Sequence, residues 1–172
     1  AQLVAGTNTS GQTLGLVNVT GIKTVTYTDA SPTAQELVAQ AWKAYNEIAS
    51  SGVGILEPGS YAVCLHPRRL AFTYANGQGS QAIPPAFPGL IVPSRGLRTN
   101  LGAGTNEDEM LVIVPAALPI FANPPRFLVD ENSLSGTLQV RLVAVQEIAT
   151  GFGRAPEAVC RISGTGLVAP SL

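Results

Sequence analysis

The 172-residue sequence predicts a mixed α+β fold, in one domain with at most two small lobes. Two observations support this prediction: one stretch has apolar residues at helical spacing, and several short stretches are apolar throughout or alternate in the manner of strands. The hydrophobic content of 45% is enough to build a real core and excludes a disordered chain.

The clearest element is a helix predicted over residues 32–50. Ser31 is placed to cap it, and Pro32 suits the first helical position, where a missing N–H costs nothing. Gly52 suits a left-handed turn at the end of the helix. A helix of this length needs a sheet along its flank, because most helix stability in proteins comes from packing. The predicted apolar face consists of Ala34, Leu37, Val38, Ala41, Trp42, Tyr45, Ile48 and Ala49.

Strands are predicted at residues 24–27, 61–65 and 110–114, and the last two are apolar enough to be central strands. Residues 67–74 are predicted to form a short helix with Arg68 and Arg69 exposed. Residues 126–129 and the alternating residues 138–144 predict a β-hairpin around the turn-prone stretch 130–136. Its second strand is expected to place one face on a core. A last strand is predicted at residues 157–163.

Charge is scarce and unevenly distributed in this chain. Charged residues make up 12% of the sequence, against about 25% in an ordinary soluble domain. Residues 70–94 carry no charge, although they include turn sequences that belong on the surface. Uncharged, apolar surface loops usually mark places covered by another subunit, so we expect a protein that works assembled with copies of itself. The alternative is a neutral β domain kept soluble by its hydroxyl groups.

Composition also narrows the range of ligands and compartments. With a net charge of −1 and a pI near 5.8, the chain lacks the basic surface needed for specific nucleic-acid binding or for an anionic membrane. Its apolar runs fall well short of the ~20 residues of a membrane span. The two cysteines, Cys64 and Cys160, are expected to be buried thiols in a reducing compartment, with a disulfide as the less favoured alternative.

Residues that could perform chemistry are few, and we expect no cofactor and no small-molecule substrate. His66 is the only histidine, and it is interpreted as a strand-end residue bonded to backbone rather than as a catalytic base. The acidic cluster Glu107, Asp108 and Glu109 could bind a hard cation, but the preferred interpretation is a solvated loop.

One loop suggests a contact between subunits. Arg95 and Arg98 flank the Gly- and Asn-rich residues 96–105, and the acidic cluster follows directly, so the loop carries opposite charges at its two ends. In a ring of identical subunits each loop could meet the opposite charge of its neighbour. The alternative is a loop that is simply solvated.

The order of these elements resembles a known family. Residues 11–18 and the helix that follows, Ala62-Val63-Cys64-Leu65-His66-Pro67-Arg68-Arg69, residues 89–93 and 99–108, and the closing stretches 134–145 and 154–166 are similar to segments of one protein family. This family is the major capsid protein of tailed bacteriophages, with the Hong Kong ninety-seven type fold that encapsulin shells share. The likeness covers nearly the whole chain, and it depends on the order of the segments rather than on any single motif.

The resemblance implies an architecture of two lobes. Residues 1–51 and 122–150 would form a peripheral lobe, containing the spine helix 32–50 and the hairpin. Residues 52–121 and 151–172 would form an axial lobe, with a mixed sheet and short helices. The loop at 93–106 would lie near the capsomer axis and the turn at 130–136 near a junction between capsomers. The candidate interface residues are Phe87, Arg95, Arg98, Asn100, Glu107, Asp108, Glu109, Asp130, Glu131 and Asn132.

The resemblance further implies a structural, non-enzymatic subunit that forms pentamers and hexamers around double-stranded DNA. The expected partners are other copies of the chain, packaged DNA without sequence specificity, and portal, scaffold or decoration proteins. The expected location is the virion, after assembly in the host cytoplasm. An encapsulin-type compartment shell is one alternative, and a small binding module or hydrolase is another.

The sequence differs from the family in the segment before the helix. Full family members carry an extended N-terminal arm and a β-hairpin extension there, whereas residues 1–31 are all that precede the predicted helix. We therefore expect most of that apparatus to be missing, and no lysine–asparagine cross-link is predicted.

Overall fold

The fold is mixed α+β, as predicted, in a computed structural model that describes residues 2–7, 9, 14–53, 57–77, 87–130 and 141–170. The predicted strands are present to within a few residues. The described elements, in chain order, are α1 (Gln2–Ala5), β1 (Lys23–Thr26), α2 (Ala34–Ala49), β2 (Ala62–Leu65), α3 (Pro67–Gly77), β3 (Leu90–Pro93), β4 (Met110–Ile113), β5 (Ile120–Ala122), β6 (Arg126–Asp130), β7 (Arg141–Val145), β8 (Ile148–Thr150) and β9 (Val159–Ser163).

Five strands form the main sheet, in the order β1-β9-β4-β2-β3. Strand β4 runs antiparallel to its neighbours β2 and β9, whereas β1 is parallel to β9 and β3 is parallel to β2. The prediction that residues 61–65 and 110–114 form central strands is confirmed, because Val63, Leu111 and Val112 are fully buried. Strands with apolar residues on both faces require cover on both sides of the sheet.

Helix α2 begins at a capping box rather than at the predicted cap. Thr33 is the N-cap: its hydroxyl accepts the N–H of Glu36, whose carboxylate accepts the N–H of Thr33. The prediction of Ser31 as the cap was wrong, because the Ser31 N–H donates to Asp29 in a turn before the helix. The predicted ending is confirmed, since Gly52 follows the helix with φ +81°.

The buried face of α2 is rotated from the predicted one. Leu37, Ala41 and Ile48 are buried as expected, but Trp42 is 39% exposed and Gln40 is buried. The side of the helix that meets the sheet decides which residues are buried, and helical periodicity places Gln40 within reach of that side.

One core joins the helix to the sheet. Leu37 and Ile48 of α2 share a cluster of buried side chains with Val63, Met110 and Ile162 of the sheet. Residues on both sides of position 51 contribute to this cluster, and the division into a peripheral and an axial lobe stays a prediction. A second, smaller cluster covers the opposite face of the sheet, where Val17 and Leu97 pack on Leu111.

Candidate assembly surfaces

A two-stranded antiparallel ribbon extends from the main sheet. It consists of residues 120–130 and 141–150: β5 pairs with β8, and β6 pairs with β7 in continuous register from Arg126 opposite Val145 to Asp130 opposite Arg141. Asn123 joins the two halves, because its N–H donates to the carbonyl of Glu147 and its side-chain amide donates to the Glu147 carboxylate. We refer to these residues as the ribbon.

The ribbon exposes apolar side chains on both faces. Residues that lie opposite each other in an antiparallel pair share a face, so Phe127, Val129, Leu142 and Ala144 form one face of β6 and β7. Phe127 is 65% exposed and Leu142 is 67% exposed. The other face carries the exposed Leu128 and Val145.

This exposure corrects the prediction for the hairpin. The predicted strand pairing is confirmed, but the second strand was expected to place one face on a core, and β7 has no buried residue. Eight of the eleven large hydrophobic side chains that are exposed in the described part of the chain belong to the ribbon. With a full exposure of roughly 200 Å² each, they present on the order of 800 Å² of apolar surface, about one partner's share of a standard protein interface.

The loop from β3 to β4, residues 94–109, is the second candidate surface. Buried ion pairs hold the end of this loop that leads into β4. Asp108 is fully buried between two arginines. Its carboxylate accepts from Arg68 Nη2 at 2.5 Å and from Arg69 Nη2 at 3.1 Å. Arg69 Nη2 also donates to the carbonyls of Leu167 and Val168, which follow β9. The loop is therefore tied to helix α3 and to the segment after β9.

Glu109 repeats this arrangement one residue later. It is fully buried, and its Oε2 accepts from Arg98 Nη2 at 2.9 Å, while Arg161 Nε lies 3.3 Å away. The backbone N–H of Arg98 donates to the same carboxylate, and this bond joins the start of the loop to its end. Burial lowers the pKa values of Arg69 and Arg161, and the neighbouring carboxylate opposes this effect in each case.

These contacts change the interpretation of several interface candidates. Asp108, Glu109 and Arg98 form ion pairs within their own chain, and their role as interface residues stays a prediction. The preferred expectation that the acidic cluster is a solvated loop was wrong for Asp108 and Glu109. The expectation that Arg69 is exposed was also wrong, because it is 1% exposed. A strand pattern cannot reveal that a distant carboxylate will lie beside a helix start.

The remaining loop candidates lie at the surface. Arg95 and Asn100 are exposed and Glu107 is half-buried. Neither the Arg95 nor the Glu107 side chain has a hydrogen-bond or ion-pair partner among the described residues. The Glu107 carboxylate lies against Gly102, which has φ +72°, and a Cβ at that position would overlap it.

The other candidates fall in three different environments. Phe87 is half-buried and packs against the core of its own chain, so its ring is already largely covered. Asp130 is the last residue of β6. Glu131 and Asn132 lie outside the described residues.

The histidine and the two cysteines, which could support catalysis, are hydrogen-bonded or shielded from solvent. His66 follows β2 and its Nδ1 accepts the backbone N–H of Arg68, as predicted. Cys64 and Cys160 are free thiols, and burial raises their pKa values to about 11 and about 12. In the described ranges, no group of three or more His, Cys, Asp or Glu side chains could hold a metal ion. The described helices include none that is long and apolar enough to span a membrane.

Sequence reasoning missed the exposed apolar residues of the ribbon. Ile120, Phe121 and Ile148 belong to the short strands β5 and β8, which were not predicted. The signal that could have identified them is an apolar pattern on both faces of a hairpin with no other element nearby to cover it.

Comparison with known proteins identifies the fold. No protein-family model matches the sequence, and no curated protein is significantly similar to it. Solved structures do match, and three of them are named here, each with a probability of 1.00. They come from Mycobacterium phage Che8 (14% identity, TM-score 0.58, 84% of this chain and 53% of that chain), the capsid of cyanophage P-SCSP1u (14%, 0.59, 86% and 55%) and the capsid of Myoviridae phage XM1 (12%, 0.56, 95% and 58%).

The chain spans little more than half the length of the chains it matches. At these identities the likeness is one of fold. It agrees with the α+β class, with the mixed sheet, and with the resemblance read from the order of segments in the sequence. The chain therefore has the fold of tailed-phage capsid structures, the Hong Kong ninety-seven type.

Proposed function

We propose that this chain is a structural subunit of a bacteriophage capsid shell and that it assembles with copies of itself. The ribbon is the observation that carries this proposal. An isolated two-stranded hairpin is at best marginally stable in water, and this one exposes apolar side chains on both faces. Such a surface is completed by another protein surface, because monomeric proteins rarely expose apolar patches of this size.

The ribbon holds most of the large hydrophobic side chains that are exposed in the described part of the chain, and we take its partner to be a second copy. Outside the ribbon, Trp42, Tyr74 and Leu90 are the only large hydrophobic side chains described as exposed. The fold of phage capsid structures supports the same partner, because shells are built from repeated subunits. Pentamers and hexamers that enclose double-stranded DNA are the form of assembly that we propose.

The proposed partners and location follow from this role. DNA would be enclosed without sequence specificity, in agreement with a net charge of −1. Portal, scaffold or decoration proteins would be additional partners. The chain would reside in the virion capsid after assembly in the host cytoplasm, and it would catalyse no reaction.

The alternatives have less support. An encapsulin-type compartment would use the same fold, but each of the three structures named above comes from a phage. A hydrolase would need several free catalytic groups close together, whereas Asp108 and Glu109 are fully buried in ion pairs with arginines and leave Glu107 as the one carboxylate of the cluster that is unpaired among the described residues. His66 accepts a backbone hydrogen bond.

The test is to make one ribbon face polar. The double variant Phe127→Ser/Leu142→Ser should lose assembly, measured by sedimentation and by electron microscopy of particles. Leu90→Ser is the matched control, because Leu90 is 69% exposed but lies outside the ribbon. Particles that form equally well from the double variant, or a native chain that never assembles, would overturn the proposal.

A further inference from the structure

The β3–β4 loop contains two charges that the fold leaves unused. Each buried carboxylate of this loop faces two arginines, Arg68 and Arg69 for Asp108, and Arg98 and Arg161 for Glu109. The loop's other charged residues, Arg95 and Glu107, have no hydrogen-bond or ion-pair partner in the described part of the chain.

These two residues lie near opposite ends of the same loop. Arg95 follows β3, which is an edge strand, in the turn where the chain leaves the sheet. Glu107 forms a bridge with Val168, in the segment that follows β9. Strands β3 and β9 are three positions apart in the sheet, so the two residues lie beside the ends of different strands.

The Glu107 side is also held in place. Glu107 exchanges two backbone hydrogen bonds with Leu101, at 3.0 and 3.1 Å, and its carboxylate lies against Gly102. The ion pairs of Asp108 and Glu109 follow directly in the chain. A carboxylate on such a fixed base loses little conformational entropy when it pairs with a partner.

We propose that Arg95 of one copy pairs with Glu107 of the next copy, in a head-to-tail contact that repeats around a ring. This inference rests on the proposed function, since it names the lateral contact of the assembling subunit. Each copy offers one charge of each sign, so the pairing can repeat from copy to copy, and a heterologous contact of this kind forms a ring when its rotation closes.

Charge reversal in full chains tests this pairing. Arg95→Glu alone and Glu107→Arg alone each place like charges in contact. Each should raise the protein concentration needed for half-assembly by about fivefold or more at low salt, as expected for a pair changed from attraction to repulsion. The double variant Arg95→Glu/Glu107→Arg restores opposite charges and should assemble like the native chain.

Mixing the two single variants gives a sharper result. If the variants alternate around a ring, each introduced glutamate meets an introduced arginine, and each native Arg95 meets a native Glu107. The mixture should therefore assemble better than either variant alone, and rings with an even number of subunits should dominate. Added salt should reduce every one of these differences, because exposed charges are screened.

The control is Lys43→Glu/Glu47→Lys, a charge swap on exposed residues of α2, which should assemble like the native chain. Single loop variants that assemble at the native concentration would overturn the pairing. So would a double variant no better than the single ones. If the loop variants assemble normally while Phe127→Ser/Leu142→Ser does not, the pairing fails and the proposed shell function stands.

Discussion

Replacing Asp108 by asparagine tests the buried ion pairs that fix the β3–β4 loop. Asp108 is fully buried, and its carboxylate accepts hydrogen bonds from Arg68 Nε and Nη2 and from Arg69 Nε and Nη2. The asparagine side chain would be neutral and would leave the Arg69 guanidinium buried without a counter-charge. Breaking a buried pair in this way costs about 3–5 kcal/mol.

The size of the effect can be measured by unfolding. For a domain of this length each kcal/mol shifts the Tm by about 2–4 °C, so Asp108→Asn should lower the Tm by roughly 6–20 °C. Urea unfolding should be carried out in the Phe127→Ser/Leu142→Ser background, so that assembly does not contribute to the free energy of unfolding. Glu57→Gln is the control at an exposed carboxylate and should change stability by less than about 0.5 kcal/mol.

A second variant separates the loss of the pair from a general disturbance of the site. Arg69→Met removes the buried cation, so adding Asp108→Asn to it should cost less than adding Asp108→Asn to the native chain. A loss below about 1 kcal/mol for Asp108→Asn alone, or strict additivity of the two variants, would refute the assignment of the ion pair as the support of the loop.

Two other predictions concern stability and pH. Thr33→Ala removes the capping hydroxyl of α2 and should lower the free energy of unfolding by about 1 kcal/mol in urea, whereas Ser31→Ala should change it little; the reverse order would restore Ser31 as the cap. Burial raises the pKa of the Cys160 thiol from 9.0 to about 12, so the unfolded chain loses this proton first as pH rises. The stability gained by keeping the thiol neutral is therefore complete below about pH 9 and is lost as pH rises towards 12. The free energy of unfolding, measured against pH, should fall more steeply over this range for the native chain than for Cys160→Ala. Parallel curves for the two proteins would contradict this prediction.

Local patterns predicted the elements that depend on local causes. The apolar runs at residues 61–65 and 110–114 were suited to central strands, and Gly52 was suited to end a helix. The cap was misplaced because Ser31-Pro32 and the Thr33–Glu36 box both suit a helix start, and the reciprocal hydrogen bonds decide between them.

Tertiary contacts explain what could not be predicted. Arg69 is buried because Asp108, 39 residues later, lies beside it, and no spacing rule connects the two residues. Ion pairs with arginines remove Asp108 and Glu109 from the surface, which leaves Arg95 and Glu107 as the charges of the loop that are unpaired in the part of the chain that the structure describes. The β6–β7 part of the ribbon was predicted as a hairpin, but its exposure on both faces depends on how the rest of the chain packs, which local patterns do not give.

The central claim is that other copies of the chain cover the exposed apolar side chains of the ribbon. Static light scattering of the native chain over a wide concentration range tests it most directly. We predict a mean mass that rises with concentration far above the 17.8 kDa of one chain, and that stays near this value in Phe127→Ser/Leu142→Ser. A native chain that remains at 17.8 kDa over the whole range would contradict the account.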